Sequence, residues 1–402
     1  METVRIFPLR GISRTQRLIL RAAQMEAARV WMYCVERHRQ ARQEHSRWPV
    51  RKELQEETKG GQYALHSQSI QMVTHQFLAN VESIAELRKA DQRHRYPYHP
   101  KKYLTVDWPA QAVSRSGNTL ILPMGRGRKS LTFHLQGLPE QFGAVSLVWN
   151  GGYELHIVVS APATEPRPVP DVPVQASVDL GEIHLAAVTT NTGKGLIVTG
   201  RAIRSLKRKG IMSQGRIQRK LSRCKRGSRR YRKLCYALER TGGQVKRQVR
   251  DLRHKATRKV VIFCEQENAQ TVFVGNPDGV RKKDAGRHHN QRMARWEYGK
   301  DIDYLQQKCQ QAHMTCFTGS ERGTSSTCPS CGKRRKPRGR VFACRRCGFR
   351  GHRDIVGSMN MHPLAFGSRI DYPHSLTYRR PGPARVWRRN EEPLLVARTG
   401  SS

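Results

Sequence analysis

Four of the ten cysteines fall in register, as Cys328-x-x-Cys331 and, twelve residues on, Cys344-x-x-Cys347. Each pair sits in a knuckle, CPSCG or CRRCG, whose glycine lets the backbone fold its amides toward the sulfurs. Four thiolates on two knuckles make a closed tetrahedral zinc site. A disulfide pairing is the competing reading, and a reducing compartment disfavours it. With all four positions taken by protein, none is left for an activated water, so one zinc with a structural role is expected. The loop between the knuckles, KRRKPRGR, carries charges of one sign and suits a phosphate backbone. The remaining cysteines are scattered, and Cys309 and Cys316 read as buried thiols.

Two acids stand out because the chain around them is so basic. Asp179, in Ala-Ser-Val-Asp-Leu-Gly, sits in an apolar strand, where a carboxylate is costly unless a cation faces it. Asp354, in Gly-His-Arg-Asp-Ile-Val-Gly, opens a helix just past the second knuckle. Each alone has a plain structural reading, a salt-bridged strand acid and a helix N-cap. Together they match what a two-metal phosphodiesterase site needs, carboxylates gathered from different elements to hold ions about 3.5–4 Å apart.

The chain that carries them has 402 residues, with 74 Lys+Arg against 31 Asp+Glu and a net charge of +43. Such a charge calls for an extended polyanion, RNA or DNA. Apolar residues make up 37%, enough in a chain of this length for one or two cores. No apolar run is long enough to span a bilayer, and the first residues, METVRIFPLRGISRTQR, have no apolar signal region, so an intracellular protein is expected.

The elements that must position these groups follow from hydrophobic period. Residues 13–42 read as a helix, with Ser13 and Gln16 as a capping box and an apolar stripe of Leu18, Ala22, Met25, Met32 and Val35. A second helix spans 67–90, with Ile70, Val73, Phe77, Val81, Ile84 and Leu87 on one face. The period then falls to two, through Leu131, Phe133 and Leu135 and through Tyr153, Leu155, Ile157 and Val159, the latter after an Asn150-Gly151-Gly152 hairpin turn. The proline-rich 161–173 reads as a linker. Strands are expected at 175–180, 183–190, 195–199, 271–275 and 314–318, and a helix at 290–312. Between them, 201–260 holds 23 Lys/Arg and only Glu239 and Asp251 as acids, which suits a pair of helices lying along phosphates.

This order of motifs resembles the TnpB proteins, transposon-encoded RNA-guided nucleases, and the related miniature type V CRISPR effectors. The resemblance rests on the Asp-Leu-Gly strand, the basic stretch, Leu-Arg-His-Lys-Ala-Thr-Arg (252–258), Thr-Val-Phe-Val-Gly (271–275) and Thr-Ser-Ser-Thr-Cys-Pro-x-Cys-Gly (324–332). It runs from about 174 to 362, while residues 1–160 agree only in architecture. It implies an α/β and α+β multidomain chain. A β-barrel wedge domain would comprise 1–10 and 95–160, with a helical recognition lobe at 11–94. A RuvC (RNase H-like) nuclease domain would comprise 174–320 and 353–362, with a zinc ribbon inserted at 321–352. A basic, flexible tail is expected at 363–402. The implied activity is RNA-guided cleavage of double-stranded DNA beside a short flanking motif. The implied cofactors are two Mg²⁺ and one Zn²⁺, and the implied partners are guide RNA and target DNA, on a monomer in the prokaryotic cytoplasm, associated with the nucleoid.

By position, Asp179 corresponds to the first family acid and Asp354 to the last. The middle acid departs from the pattern, because the strand that a Glu usually ends here ends in Gly275-Asn276. Three arrangements meet that gap. Glu321, from the neighbouring strand end, could reach the same metal across the spacing of adjacent strands. Asp278 could bend back. Or the site is incomplete, and the protein is a guide-directed binding protein that represses without cutting. The first is the expectation, which makes Asp179, Glu321 and Asp354 the catalytic, Mg²⁺-holding set. His184, His254, His288, His289 and His352 lie near the motifs and read as structural or phosphate-facing, with His254 as a contact to RNA. Trp296, Tyr298 and Leu305 at helical spacing read as core, as do Trp108, Trp149 and Tyr153 ahead of base stacking.

Overall fold

The computed structural model describes residues 2–160, 172–277, 284, 286–335, 337 and 339–382, with the backbone alone for His288. Asp278, most of the expected linker and residues 383–402 of the expected tail lie outside the described residues. The chain divides into two compact units, 1–162 and 163–402.

The first unit runs β1 (Glu2–Pro8), α1 (Arg14–Gln43), α2 (Arg51–Glu57), α3 (Ser67–Ala90), β2 (Val106–Trp108), β3 (Ser114–Ser116), β4 (Thr119–Leu122), β5 (Leu131–His134), β6 (Val145–Trp149) and β7 (Tyr153–Ser160). Its strands form two antiparallel sheets, β1-β7-β6-β2 and β3-β4-β5, so among the described residues they do not close into the single hydrogen-bonded barrel expected. Because β1 pairs along the whole of β7, the three helices are an insertion between two paired strands. The Ser13–Gln16 capping box forms, but the helix buries a different stripe. Of the five residues assigned to it only Val35 is buried, while Leu18 and Met25 are 56% and 40% exposed. The buried face is built around Trp31, which meets Phe77 of α3 edge-on at 5.3 Å, with Ala23 and Ala27 small enough to let the helices approach. Ile70, Val73, Phe77 and Val81 are buried on α3 as expected, and Leu87 is exposed. Trp108 is buried with its indole N–H donating to the Pro123 carbonyl at 2.9 Å, Tyr153 is buried, and Trp149 is 38% exposed.

The second unit is built on a six-stranded sheet. Its elements are β8 (Val174–Leu180), β9 (His184–Thr190), β10 (Lys194–Thr199), α4 (Arg201–Leu221), α5 (Arg229–Gln266), β11 (Ala269–Asn276), α6 (Arg287–Ala294), α7 (Tyr298–Gln311), β12 (Thr315–Ser320), β13 (Val341–Ala343), β14 (Arg350–His352), α8 (Arg353–Phe366) and β15 (Ser375–Arg379). The strand order is β12-β11-β8-β9-β10-β15. β9 runs antiparallel to both of its neighbours, β8 and β10, whereas β11 runs parallel to β8 and to β12. Every residue of β9 is buried, the mark of a strand covered on both faces. Alternation then sorts the side chains: Ala176, Val178, Ala186 and Val188 pack with α5 and α7, while Ala187 joins Ile355 and Met359 of α8.

Two expectations change here. The single helix at 290–312 is two, α6 and α7, broken where Trp296 turns into the core. Arg253, 1% exposed and paired with Asp301 at 2.7 Å, donates to the Glu297 carbonyl at the break. A guanidinium thus satisfies a backbone acceptor at the interruption between the helices. The tail, expected to be flexible from 363, instead completes α8 and adds β15 parallel to β10 at the sheet edge.

Candidate nuclease centre and cysteine cluster

Asp179 is the sixth residue of β8 and faces Ala187 of β9, which puts it on the α8 side of the sheet. There α8 approaches closely, because residue 357 is glycine: a Cβ on it would run into the Asp179 carboxylate. Ser358 donates to the Ser177 carbonyl at 2.7 Å and is 2.8 Å from the Thr189 hydroxyl, so the helix is stitched to two strands beside the acid. Asp354 lies in the first turn of the same helix. His184, at the start of β9, places Nδ1 2.7 Å from Asp354 Oδ2, and Arg340 donates to both carboxylate oxygens at 3.2 and 3.1 Å.

Glu321 follows the last residue of β12 directly. The β11–β12 register pairs Gly275 with Gly319 and Asn276 with Ser320. A Cβ placed on Gly275 would lie 2.5 Å from Glu321 Oε2 and 2.8 Å from the Met361 side chain. The Glu321 carboxylate therefore occupies the room that a side chain at 275 would take. Its loop is held from α8: Asn360 donates to the carbonyls of Thr324 and Thr327, both at 2.7 Å, and the Thr324 hydroxyl donates to the Glu321 carbonyl at 2.9 Å.

The electrostatics agree that the three acids share one place. Burial pushes the Asp179 carboxyl well above the usual carboxylate range, and the negative charges of Glu321 and Asp354 raise it further. Burial opposes ionisation of Asp354 too, but the His184 hydrogen bond and the Arg340 guanidinium outweigh it and leave its carboxyl below the ordinary value. A carboxyl whose ionisation is opposed by burial and by two neighbouring acids is one that a divalent cation would relieve. The oxygen-only donor set of Asp179, Glu321 and Asp354 fits a hard ion such as Mg²⁺.

The four-cysteine cluster is also assembled as expected. The Sγ atoms of Cys328 and Cys347 are 3.5 Å apart, and those of Cys331 and Cys344 are 3.6 Å apart. These separations are too long for disulfides and close to the ~3.8 Å edge of a tetrahedron with ~2.3 Å Zn–S bonds. The cluster is thus compatible with a zinc ribbon, packed on Phe342 and Val356.

Among the remaining candidates, His254 stacks on Tyr304 with centroids 4.0 Å apart. His289 lies 3.4 Å from an Arg292 nitrogen, and nothing is described of the His288 side chain. Trp296 and Leu305 are core, Tyr298 packs against it, and Cys309 is buried with Cys316 partly so. Sequence reasoning did not single out His184, His352 or Arg340 as neighbours of Asp354. His352 stands two residues before Asp354, whereas His184 and Arg340 reach it only through the tertiary fold.

A helix-flanked mixed sheet with carboxylates collected at its strand ends, and a four-cysteine knuckle pair beside it, defines an α/β multidomain protein of nuclease-type fold. Residues 156–281 match the family model described as "Probable transposase" (OrfB_IS605), and residues 298–361 match "Cas12f1-like, TNB domain". A TnpB-like protein from Methanocaldococcus jannaschii is 26% identical over 150 residues, which are 36% of this chain and 51% of the relative; the chain thus spans about half the length of that curated relative. The cryo-EM structure of Cas12f1 with its sgRNA and target DNA shares the fold, with a TM-score of 0.58 at 11% identity over 87% of this chain and 83% of that one. By these matches the chain is similar to TnpB proteins and, in fold, to a miniature type V effector.

Proposed function

We propose that this chain is an RNA-guided double-stranded DNA endonuclease with a RuvC-like site formed by Asp179, Glu321 and Asp354. Counting the first five sheet strands of the second unit in chain order, the spatial order is third, second, first, fourth, fifth, with only the second reversed against the others. That topology supports reading the unit as RNase H-like. The observation that carries the proposal is the Glu321 carboxylate lying against Gly275. A site that had decayed at its middle acid would have no reason to deliver a replacement from the adjacent strand to the same spot.

In this reading Asp179, Glu321 and Asp354 hold the ions, His184 and Arg340 orient Asp354, and Asn360 fixes the Glu321 loop. When bound there, two Mg²⁺ supply an activated attacking water and charge stabilisation for the leaving 3′ oxygen. The protein needs no side-chain nucleophile. The zinc held by Cys328, Cys331, Cys344 and Cys347 is structural, bracing the segment between Glu321 and Asp354. The helices α4 and α5, with their strongly basic surface, track RNA phosphates, while base pairing of guide and target supplies the sequence. The helices of the first unit act as recognition lobe and its strands as wedge domain. The protein works as a monomer in the prokaryotic cytoplasm, at the nucleoid.

The test is a plasmid library carrying a guide-matched target with randomised flanks, incubated in Mg²⁺ with the protein purified together with its co-expressed RNA. Cutting beside one particular flank is the expected result. Guide-dependent binding without cutting would overturn the nuclease reading and leave a repressor.

A further inference from the structure

His184 begins β9, His352 ends β14, and Asp354 lies in the first turn of α8, so three elements converge on one point. One nitrogen of each imidazole and one Asp354 oxygen all lie within 4.8 Å of one another. The two rings have centroids 5.0 Å apart, and Tyr378 of β15 stands 6.5 and 6.2 Å from them, closing one side. The His184 side chain is 9% exposed and that of Asp354 17%. His352 Nδ1 is buried and has no hydrogen-bond partner, a costly state for an imidazole unless something else takes its lone pair or proton.

We propose that His184, His352 and Asp354 form a mixed nitrogen–oxygen site for a divalent first-row transition ion, for which Mn²⁺ is the spectroscopic probe. Two imidazoles and a carboxylate are the donors such ions accept and Mg²⁺ disfavours, since Mg²⁺ prefers oxygen throughout. Arg340, whose side chain is 40% exposed, neutralises Asp354 in the ion-free chain and can swing into solvent when an ion arrives. The site shares Asp354 with the proposed nuclease centre but concerns binding alone, so it stands or falls separately from cleavage.

The experiment uses the full chain with its cysteine cluster zinc-loaded, titrated with Mn²⁺ and followed by electron paramagnetic resonance. Pulsed spectra of the bound ion are expected to show ¹⁴N modulation from imidazole. His184→Gln and His352→Gln should each weaken Mn²⁺ binding at least about tenfold and reduce that modulation, whereas Asp179→Asn should retain it. Bound Mn²⁺ without ¹⁴N modulation in the unaltered protein would overturn the proposal, and so would the absence of any Mn²⁺ bound below millimolar concentration. Retained ¹⁴N modulation in a protein that fails to cut DNA would refute the nuclease reading and leave this site standing.

Discussion

At Gly275 the missing side chain and the arriving one are two halves of a single fact. Because Glu321 Oε2 would be 2.5 Å from a Cβ at 275, Gly275→Ala should displace the carboxylate. Guided cleavage is expected to fall about 10–100-fold with little change in melting temperature, the size of loss seen when a metal ligand is misdirected. The complementary pair is sharper. Glu321→Ala should be inactive, and Gly275→Glu added to it should recover part of the rate, measured as plasmid cleaved per minute; no recovery would mean the two positions do not serve the same ion. Asp179, Asp354 and the four cysteines could be read from the sequence because each is anomalous locally, an acid in an apolar strand or a thiol in a knuckle. The link between 275 and 321 is nonlocal, and depends on β11 and β12 pairing so that Gly275 meets Gly319. The pairing of His184 with Asp354 was unreadable for the same reason, since 170 residues separate the two.

Among the elements, α8 does the most positioning. It presents Asp354, accommodates Asp179 through Gly357, and reaches the Glu321 loop through Asn360. Asn360→Ala should loosen that loop and lower the cleavage rate about tenfold, while guide-dependent DNA binding, read by gel shift, stays the same. Helix α1 shows how period alone misleads. Leu18 and Met25, which period assigns to the core, face outward, and the buried stripe runs instead through Leu20, the alanines that cover Trp31, and His38. His38 is fully buried, with Nδ1 2.5 Å from the Tyr98 hydroxyl, and burial, aided by the nearby Arg42 charge, lowers its pKa to about 4. An imidazole depressed in the fold contributes stability above its unfolded pKa of ~6.5, and that stability is lost as pH falls toward 4. Between pH 7 and pH 5 the first unit should lose up to about 2 kcal/mol, and in His38→Gln this part of the acid slope in thermal melting should disappear.

The net charge of +43 is a statement about partners and was legible at once, as was the α/β order of the second unit. The closing strand β15 was not, because its Ser-Leu-Thr-Tyr-Arg is short and lies in a Pro- and Arg-rich context that reads as tail. The cysteine cluster packs on Val356, one turn into α8, so it is coupled to the acids. Zinc removal by a chelator, or Cys344→Ser, is expected to lower the melting temperature of the second unit and to stop cleavage, even with Mg²⁺ in excess. Full cleavage by zinc-free protein would show the cluster to be dispensable for the centre.

The central claim is that Asp179, Glu321 and Asp354 cut DNA chosen by a guide. Its most direct test is Mg²⁺-dependent cleavage of a guide-matched plasmid by the unaltered protein and by Glu321→Gln, with DNA binding scored in the same tubes. The account predicts cutting by the first, and by the second a rate reduced about 10³-fold or more at equal binding, the loss of several kcal/mol of metal-held charge stabilisation. Equal cutting by both would remove Glu321 from the site, and binding without cutting by either would contradict the nuclease itself.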